Sequence, residues 1–213
     1  MNVTKKLLLS AVLVLPTTVF ANEAAHVDGY YIPSSTWEVD GGSDDGDSDG
    51  DGFGVKAWVP FGRTQNFFLE GEYQSTSIDS YNDFSSFDID QLRLGGGWQV
   101  PLATGSGALY GEYVSLDQDG DKATGFGAHG RLAFPIARNV QIYGQAGYLW
   151  LQADNNLDLD GPEFLIGGSV DFSRNIGAFI DYRYTSLEDN DNIKYNVGDL
   201  RLGVRILFDT RRM

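Results

Sequence analysis

Apolar and polar residues alternate one by one along most of the chain. In residues 53–61, Phe53, Val55 and Ala57 fall on one face of an extended chain, and Lys56 falls on the other. A period of two residues predicts β-strands, because the apolar residues of a helix recur every three to four positions instead. The alternation recurs in ten segments, which predicts ten strands: 27–40, 53–61, 67–74, 91–100, 107–117, 123–134, 139–153, 161–172, 176–187 and 194–208.

Two architectures accommodate alternating strands: a soluble sandwich with an apolar interior and a membrane barrel with an apolar exterior. The predicted strands run to about 10–14 residues, longer than the ~5–6 typical of soluble sheets and close to the ~9–11 that cross a bilayer at a tilt. Short turns alternate with long polar connections at 41–51, 79–88, 117–122, 154–161 and 188–193. Both features predict an all-β protein, a transmembrane antiparallel up-and-down β-barrel with its long loops outside the cell.

The N-terminus has the features of a secretory signal peptide. Lys5 and Lys6 supply a positive start, residues 7–15 form a short apolar core, and Val19 and Ala21 are small residues that suit cleavage after Ala21. The apolar core is too short to cross a hydrocarbon layer about 30 Å thick, so a membrane anchor is disfavoured. The chain has no cysteine, which excludes a lipoprotein and a disulfide scaffold. We expect a signal peptide at 1–21 and an outer-membrane barrel at 22–213.

The charge of the chain is strongly acidic and unevenly distributed. A formal net charge of −15 at pH 7 argues against nucleic-acid binding, which requires a basic surface. Acidic residues concentrate in the long connections, whereas Arg63, Arg138 and Arg174 mark the short turns. The pattern predicts acidic extracellular loops and basic periplasmic turns.

Five aspartates alternate with glycine and serine in SDDGDSDGDG, residues 43–52. An EF-hand calcium loop has this spacing in its first half but also requires a bidentate glutamate at its twelfth position. That position is Trp58 counted from Asp47 and Lys56 counted from Asp45, so an EF-hand is excluded. The run is either a solvated acidic loop without a site or a weak, collective Ca²⁺ site that bridges to anionic lipopolysaccharide, with ligands from Asp44, Asp45, Asp47, Asp49 and Asp51.

A family resemblance is carried by DGFGVKAWV, DIDQLRLGGGWQV, YGQAGYL and the last strand, LRLGVRILF, which ends in an aromatic residue. These segments resemble the small outer-membrane β-barrel proteins of the OmpA/OmpX-like type, including a subset described as secreted activators of plant immunity. The resemblance implies insertion by the barrel assembly machinery, with outer-membrane lipid and lipopolysaccharide as partners. Eight is the commonest strand count in that family and is the alternative to ten. The chain departs from the family at DTRRM, which follows Phe208.

The sequence contains no recognisable catalytic motif. Barrel proteases and lipid A deacylases need a histidine near the outer rim, and this chain has two histidines, His26 and His129. Neither is accompanied by a serine or by paired aspartates in a motif. We therefore expect no enzyme and no cofactor other than weakly bound Ca²⁺.

Charged residues on the polar faces of the strands are balanced in sign. A narrow barrel can be filled by side chains, so we expect these residues to plug the lumen as ion pairs; the alternative is a selective pore. The set contains six bases and six acids: Lys56, Glu70, Glu72, Arg93, Glu112, Arg131, Glu163, Asp171, Asp181, Arg183, Arg201 and Arg205.

The last hairpin allows a strand register to be predicted. One register places Asp181 opposite Arg201, and Arg183 opposite Asp199, as charge pairs in the lumen. A slip by one residue would turn these charges toward lipid, which costs about 2–4 kcal/mol for an arginine at the midplane.

The predicted function follows from the fold rather than from a motif. The sequence favours a small integral outer-membrane protein with a structural or surface-interaction role, exerted through acidic loops. A narrow channel or transport protein is the alternative, and a barrel enzyme is third. Loops of this composition do not identify the extracellular partner.

Overall fold

The computed structural model describes residues 23–41, 46–79, 86–154 and 157–208. The predicted signal peptide at 1–21 lies outside the described residues. Ten strands account for most of the described chain: β1 (Ala25–Asp40), β2 (Gly46–Phe61), β3 (Phe67–Ile78), β4 (Phe87–Leu102), β5 (Gly105–Gln118), β6 (Asp121–Ala137), β7 (Val140–Ala153), β8 (Asp158–Asp171), β9 (Ile176–Asp189) and β10 (Lys194–Phe208).

The ten strands form one closed antiparallel barrel. Each strand pairs with its neighbour in sequence, and β1 closes the ring by pairing with β10. The predicted count of ten is confirmed, and the alternative of eight is wrong. In the described part of the chain, no helix has the length and apolar character needed to span a bilayer.

At the extracellular end of the barrel, where the acidic loops lie, some strands extend further than the sequence predicts. Residues 46–51 of the expected first loop belong to β2, and the expected loop at 117–122 is reduced to a two-residue turn. That turn consists of Asp119 and Gly120, which have φ angles of 51° and 101° and suit the primed turns of tight hairpins. Strand pairing continues past the membrane because ladder hydrogen bonds satisfy polar strand ends as well as apolar ones.

The outward face of the barrel carries many large apolar side chains. Leu94, Phe126 and Ile166 are exposed by 54%, 66% and 70%. An exposed apolar area of this extent is unfavourable in water but is the expected exterior of a barrel in lipid. Aromatic residues near the strand ends also face outward: Tyr31, Phe61, Phe67, Tyr148, Trp150 and Phe208.

A β-bulge in β1 changes which residues of that strand face the lumen. The pairing of β1 with β2 shifts between Ile32 and Ser35, and Pro33, which has no N–H to donate to a ladder, lies within the shift. Tyr30 and Ile32 are buried before the bulge, and Ser35 is buried after it. The bulge thereby turns Ser35 into the lumen, where its hydroxyl donates to Asp199 at 2.7 Å.

Candidate functional site

The middle of the lumen is filled by a charged plug, which we define by Lys56, Glu70, Glu72, Arg93, Glu112, His129, Glu163, Asp181, Arg183, Asp199 and Arg201. One half of the plug is centred on Arg93 of β4. Its Nη1 donates to Glu112 Oε1 at 2.8 Å and to Glu163 Oε1 at 2.9 Å, and its Nη2 donates to Glu163 Oε2 at 2.5 Å. All three side chains are buried. Fork-to-fork bonding of this kind is the strong form of the arginine–carboxylate pair.

The other half of the plug is centred on Glu72 of β3. Glu72 Oε1 accepts from Arg201 Nη1 at 2.7 Å and from the Tyr30 hydroxyl at 2.6 Å, while Oε2 accepts from Arg183 Nη2 at 2.6 Å. Arg201 Nε also donates to Asp181 at 2.6 Å. The bonds join β1, β3, β9 and β10, so they cross the lumen as well as connect neighbouring strands.

The last hairpin has the register that the sequence indicates. Asp181 is the strand partner of Arg201, and Arg183 is the strand partner of Asp199. Asp181 and Arg201 bond to each other directly, whereas Arg183 and Asp199 each bond to other residues. Arg183 donates to Glu72 and Gln91, and Asp199 accepts from Ser35 and Gln74 at 2.7 and 2.8 Å. The sequence alone did not show these cross-lumen partners because they come from distant strands.

The periplasmic mouth of the lumen contains a second, smaller set of charged and aromatic side chains. Glu23 precedes β1 and contacts Arg131 Nη2 at 3.1 Å and Arg205 Nη1 at 3.8 Å. The ring of Trp58 stacks on that of Phe68 with centroids 3.7 Å apart. Burial raises the pKa of the Glu23 carboxyl, but the Arg131 guanidinium opposes this effect, and the pKa falls to about 2.

The extracellular half of the lumen is a vestibule rather than a packed core. It is a cavity of about 240 Å³. Its floor includes Arg93 and Arg183 of the plug, with Gln91 and Thr185. Its walls are mainly apolar and include Trp37, Leu116, Leu149, Leu159, Leu187 and Val197.

The apolar walls were not predicted from the sequence, although a signal was present. Leu116 has the same strand parity as Glu112, and Leu187 has the same parity as Arg183. Following each polar face to the loop end of its strand would have placed these leucines in the lumen. The ion pairs expected from the sequence therefore lie in the middle of the lumen, and the apolar lining of its outer half was not part of that expectation.

The fold matches solved barrels of bacterial outer membranes. An outer-membrane channel from Pseudomonas putida F1 has a TM-score of 0.58 at 12% identity, over 92% of this chain and 100% of that chain. The transport unit of the autotransporter AIDA-I from Escherichia coli has a TM-score of 0.51 at 10% identity, over 87% and 91% of the two chains. The protein has the fold of a bacterial outer-membrane β-barrel. Its apolar exterior suits the same membrane.

Sequence comparison gives no closer relationship for this outer-membrane barrel. No protein-family model matches the sequence, and no curated protein matches it. The structural matches have low identity and support the fold alone, so they do not bear on the resemblance to activators of plant immunity.

The two histidines of the outer-membrane barrel are buried among aromatic and charged groups. The ring of His26 stacks on that of Trp58, and the Nδ1 atom of His26 lies 2.9 Å from the carbonyl oxygen of Ala24. His129 stacks on Tyr110, and its Nε2 lies 2.9 Å from Glu112 Oε1. Both positions are accounted for by packing and polar contacts, and we assign neither a catalytic role.

One group of side chains in the described residues has the spacing of a metal site. Ligand atoms of Glu112, His129 and Glu163 lie within 4.8 Å of one another. Arg93, however, already occupies both carboxylates at 2.5–2.9 Å, and a guanidinium there would repel a metal ion. The arrangement is better explained as an ion-pair cluster than as a metal centre.

The aspartates predicted to bind Ca²⁺ are only partly described. Asp49 and Asp51 lie on β2 and are exposed, and Asp51 accepts a hydrogen bond from the Tyr31 hydroxyl at 3.1 Å. Asp44 and Asp45 lie outside the described residues, as does the side chain of Asp47. Weak collective Ca²⁺ binding therefore stays a prediction, and three of its five residues, Asp47, Asp49 and Asp51, lie on β2.

The Glu23 contacts give a testable prediction of pH-dependent stability. Glu23→Gln should lower the free energy of unfolding at pH 7 by about 1.5–3 kcal/mol, the range for hydrogen bonds to charged groups. Because folding lowers the pKa from 4.5 to about 2, the carboxylate stabilises the barrel above pH 4.5, and this stabilisation is lost as the pH falls toward 2. Urea unfolding in lipid vesicles measures the free energy of unfolding at each pH. The values for the wild type and the variant should converge as the pH falls from 4.5 toward 2.

Glu38→Gln, at an exposed site near the other end of β1, is the control. If the free energies of the wild type and Glu23→Gln differed by the same amount at all pH values, the lowered pKa of Glu23 would be contradicted.

Proposed function

We propose that the protein is a closed outer-membrane barrel that acts at the cell surface and does not conduct solutes along its axis. The charged plug is the observation that supports this proposal. Arg93, Glu163 and Arg201 are exposed by 3%, 0% and 2%, and their bonds link strands across the barrel. A solute moving along the axis would have to separate these groups. Breaking a buried ion pair leaves an uncompensated charge, at about 3–5 kcal/mol for each pair.

The extracellular end of the barrel supports a role at the surface. Two bases lie there among the described residues, Lys122 and Lys194, and both are exposed. The exposed acids are far more numerous: Glu38, Asp40, Asp49, Asp51, Asp79, Asp88, Asp119, Asp121, Asp154, Asp158, Asp160 and Asp191. Carboxylates held on paired strand ends are hard oxygen ligands that divalent cations accept. These exposed carboxylates form an acidic rim at the extracellular end of the barrel. We propose that cations bridge this acidic rim to anionic groups of neighbouring lipopolysaccharide.

Single-channel recording tests whether the lumen is closed. Purified, refolded barrel inserted in a planar bilayer should show no steady conductance steps, because ion pairs such as those of Arg93 and Arg201 bridge the lumen between strands. Heat-dependent gel mobility should verify that the inserted protein is folded, and a general porin recorded in the same bilayers is the positive control. Reproducible steps that scale with the number of inserted barrels would contradict the proposal.

A narrow channel is the second candidate function, and the vestibule is the observation that favours it. A cavity of about 240 Å³ at the extracellular end could be the entrance of a transport path if the plug rearranged. The solved barrel with a TM-score of 0.58 is described as a channel. Conductance in the recording above would favour this candidate.

A further inference from the structure

We propose that the vestibule is a binding site for a small, uncharged, mainly apolar molecule that carries a hydrogen-bond acceptor at one end. This goes beyond a closed barrel with an acidic rim, because neither of those properties requires an apolar cavity. The vestibule lies between the rim and the plug, and it is closed below by Arg93 and Arg183.

The walls of the vestibule select for an apolar ligand. Leu149 and Leu187 belong to one buried apolar cluster, against which Leu116 and Leu159 pack from neighbouring positions. Inward-facing residues elsewhere in the lumen are mostly charged or polar. Apolar surface that faces water is unfavourable, and a ligand that covers it recovers that free energy. Neither contact with lipid nor closure of the barrel accounts for these residues, since they face the lumen above the plug.

The floor of the vestibule offers hydrogen-bond donors. An arginine has five N–H donors, and Arg183 donates to Gln91 at 3.1 Å and to Glu72 at 2.6 Å. Its remaining donors suit an oxygen or ring nitrogen on the ligand. Small-molecule sites commonly combine apolar walls with a few polar groups of this kind, which orient the ligand.

The charges around the vestibule favour an uncharged ligand over an ion. Arg93 and Arg183 are already paired with Glu163 and Glu72, and the Asp199 carboxylate, which also lines the cavity, accepts hydrogen bonds from Ser35 and Gln74. The floor therefore carries little uncompensated positive charge. The acidic rim repels anions at the entrance. Apolar walls disfavour a cation or an anion alike, because an ion that leaves water without a partner loses its solvation.

The volume of the vestibule sets the size of the ligand. A cavity of about 150 Å³ is enough to bind benzene, and this one has about 240 Å³. A bicyclic aromatic compound or a short acyl chain is therefore the expected size, and quinoline is a suitable probe. Quinoline is uncharged at neutral pH and has one ring nitrogen acceptor, while naphthalene has the same shape without the acceptor.

Equilibrium dialysis of the folded barrel in lipid nanodiscs, against empty nanodiscs, tests the proposal. Quinoline should bind saturably, with one molecule per barrel. Naphthalene should bind about tenfold more weakly, which corresponds to the loss of one hydrogen bond of about 1.4 kcal/mol. Naphthoate, which has a similar apolar body and a negative charge, should bind more weakly than either.

Two matched tryptophan substitutions locate the binding. Leu116→Trp fills the vestibule and should weaken quinoline binding by about tenfold or more. Leu109→Trp makes the same change on the same strand but on the lipid face, where Leu109 is exposed, and it should leave binding unchanged. Leu159→Trp, on β8, repeats the test if Leu116→Trp does not fold.

The proposal is overturned if quinoline does not bind saturably, or if binding survives in a folded variant with a filled vestibule. Equal affinities for quinoline and naphthalene would show that the floor donates no hydrogen bond to the ligand. Tighter binding of naphthoate than of quinoline would show that the ligand is an anion. These results do not depend on conductance, so they are independent of whether the lumen is closed.

Discussion

Replacing Arg93 with methionine is expected to lower the free energy of unfolding by about 3–5 kcal/mol. The substitution leaves Glu112 and Glu163 buried without the guanidinium that bonds both of them. Methionine has a similar length, so loss of charge compensation rather than loss of volume dominates. Guanidinium-induced unfolding in lipid vesicles, followed by the fluorescence of the four tryptophans, measures the change.

Two further variants separate charge compensation from a general effect of removing arginine. Arg138→Met, in an exposed periplasmic turn, should change stability by no more than about 0.5 kcal/mol. The double variant Arg93→Met, Glu163→Gln should recover part of the loss, because it removes one of the two stranded carboxylates. A loss below about 1 kcal/mol in Arg93→Met would show that water, rather than Arg93, compensates these acids.

Leu94→Arg is expected to lower the free energy of unfolding by about 2–4 kcal/mol, the range for an arginine on the lipid face at the midplane of the bilayer. Leu94 follows Arg93 directly on β4 and points the opposite way, with 54% of its surface exposed. The same denaturant titration measures the loss. An arginine is thus required at position 93 and strongly unfavourable at position 94.

A second leucine on β4 provides the control for Leu94→Arg. Leu102 also faces outward but lies at the end of the strand, next to a periplasmic turn. An arginine there can reach the polar interface, so Leu102→Arg should cost only about 0–1 kcal/mol. Equal losses at the two positions would contradict the placement of Leu94 near the middle of the bilayer.

Much of the fold could be predicted from the sequence because β-strand parity is a local property. The alternation of Phe53, Val55 and Ala57 with Lys56 is readable without knowing the partner strand. Parity separates the lipid face from the lumen face, and opposite charges on consecutive strands then fix a register such as that of Asp181 with Arg201. The sequence therefore determined the barrel, the ten strands and the final hairpin.

The contacts across the lumen were decided only by the tertiary structure. Glu72 meets Arg183 and Arg201 from strands more than a hundred positions away in sequence, and no periodicity reports which strands face each other across a closed barrel. The bulge near Pro33 moves Ser35 inward, which interrupts the parity of β1. The vestibule depends on how far strands of different lengths extend beyond the plug. Barrel closure, strand length and side-chain reach together decide which residues meet across the lumen. These are properties of the whole ring of strands rather than of any one segment.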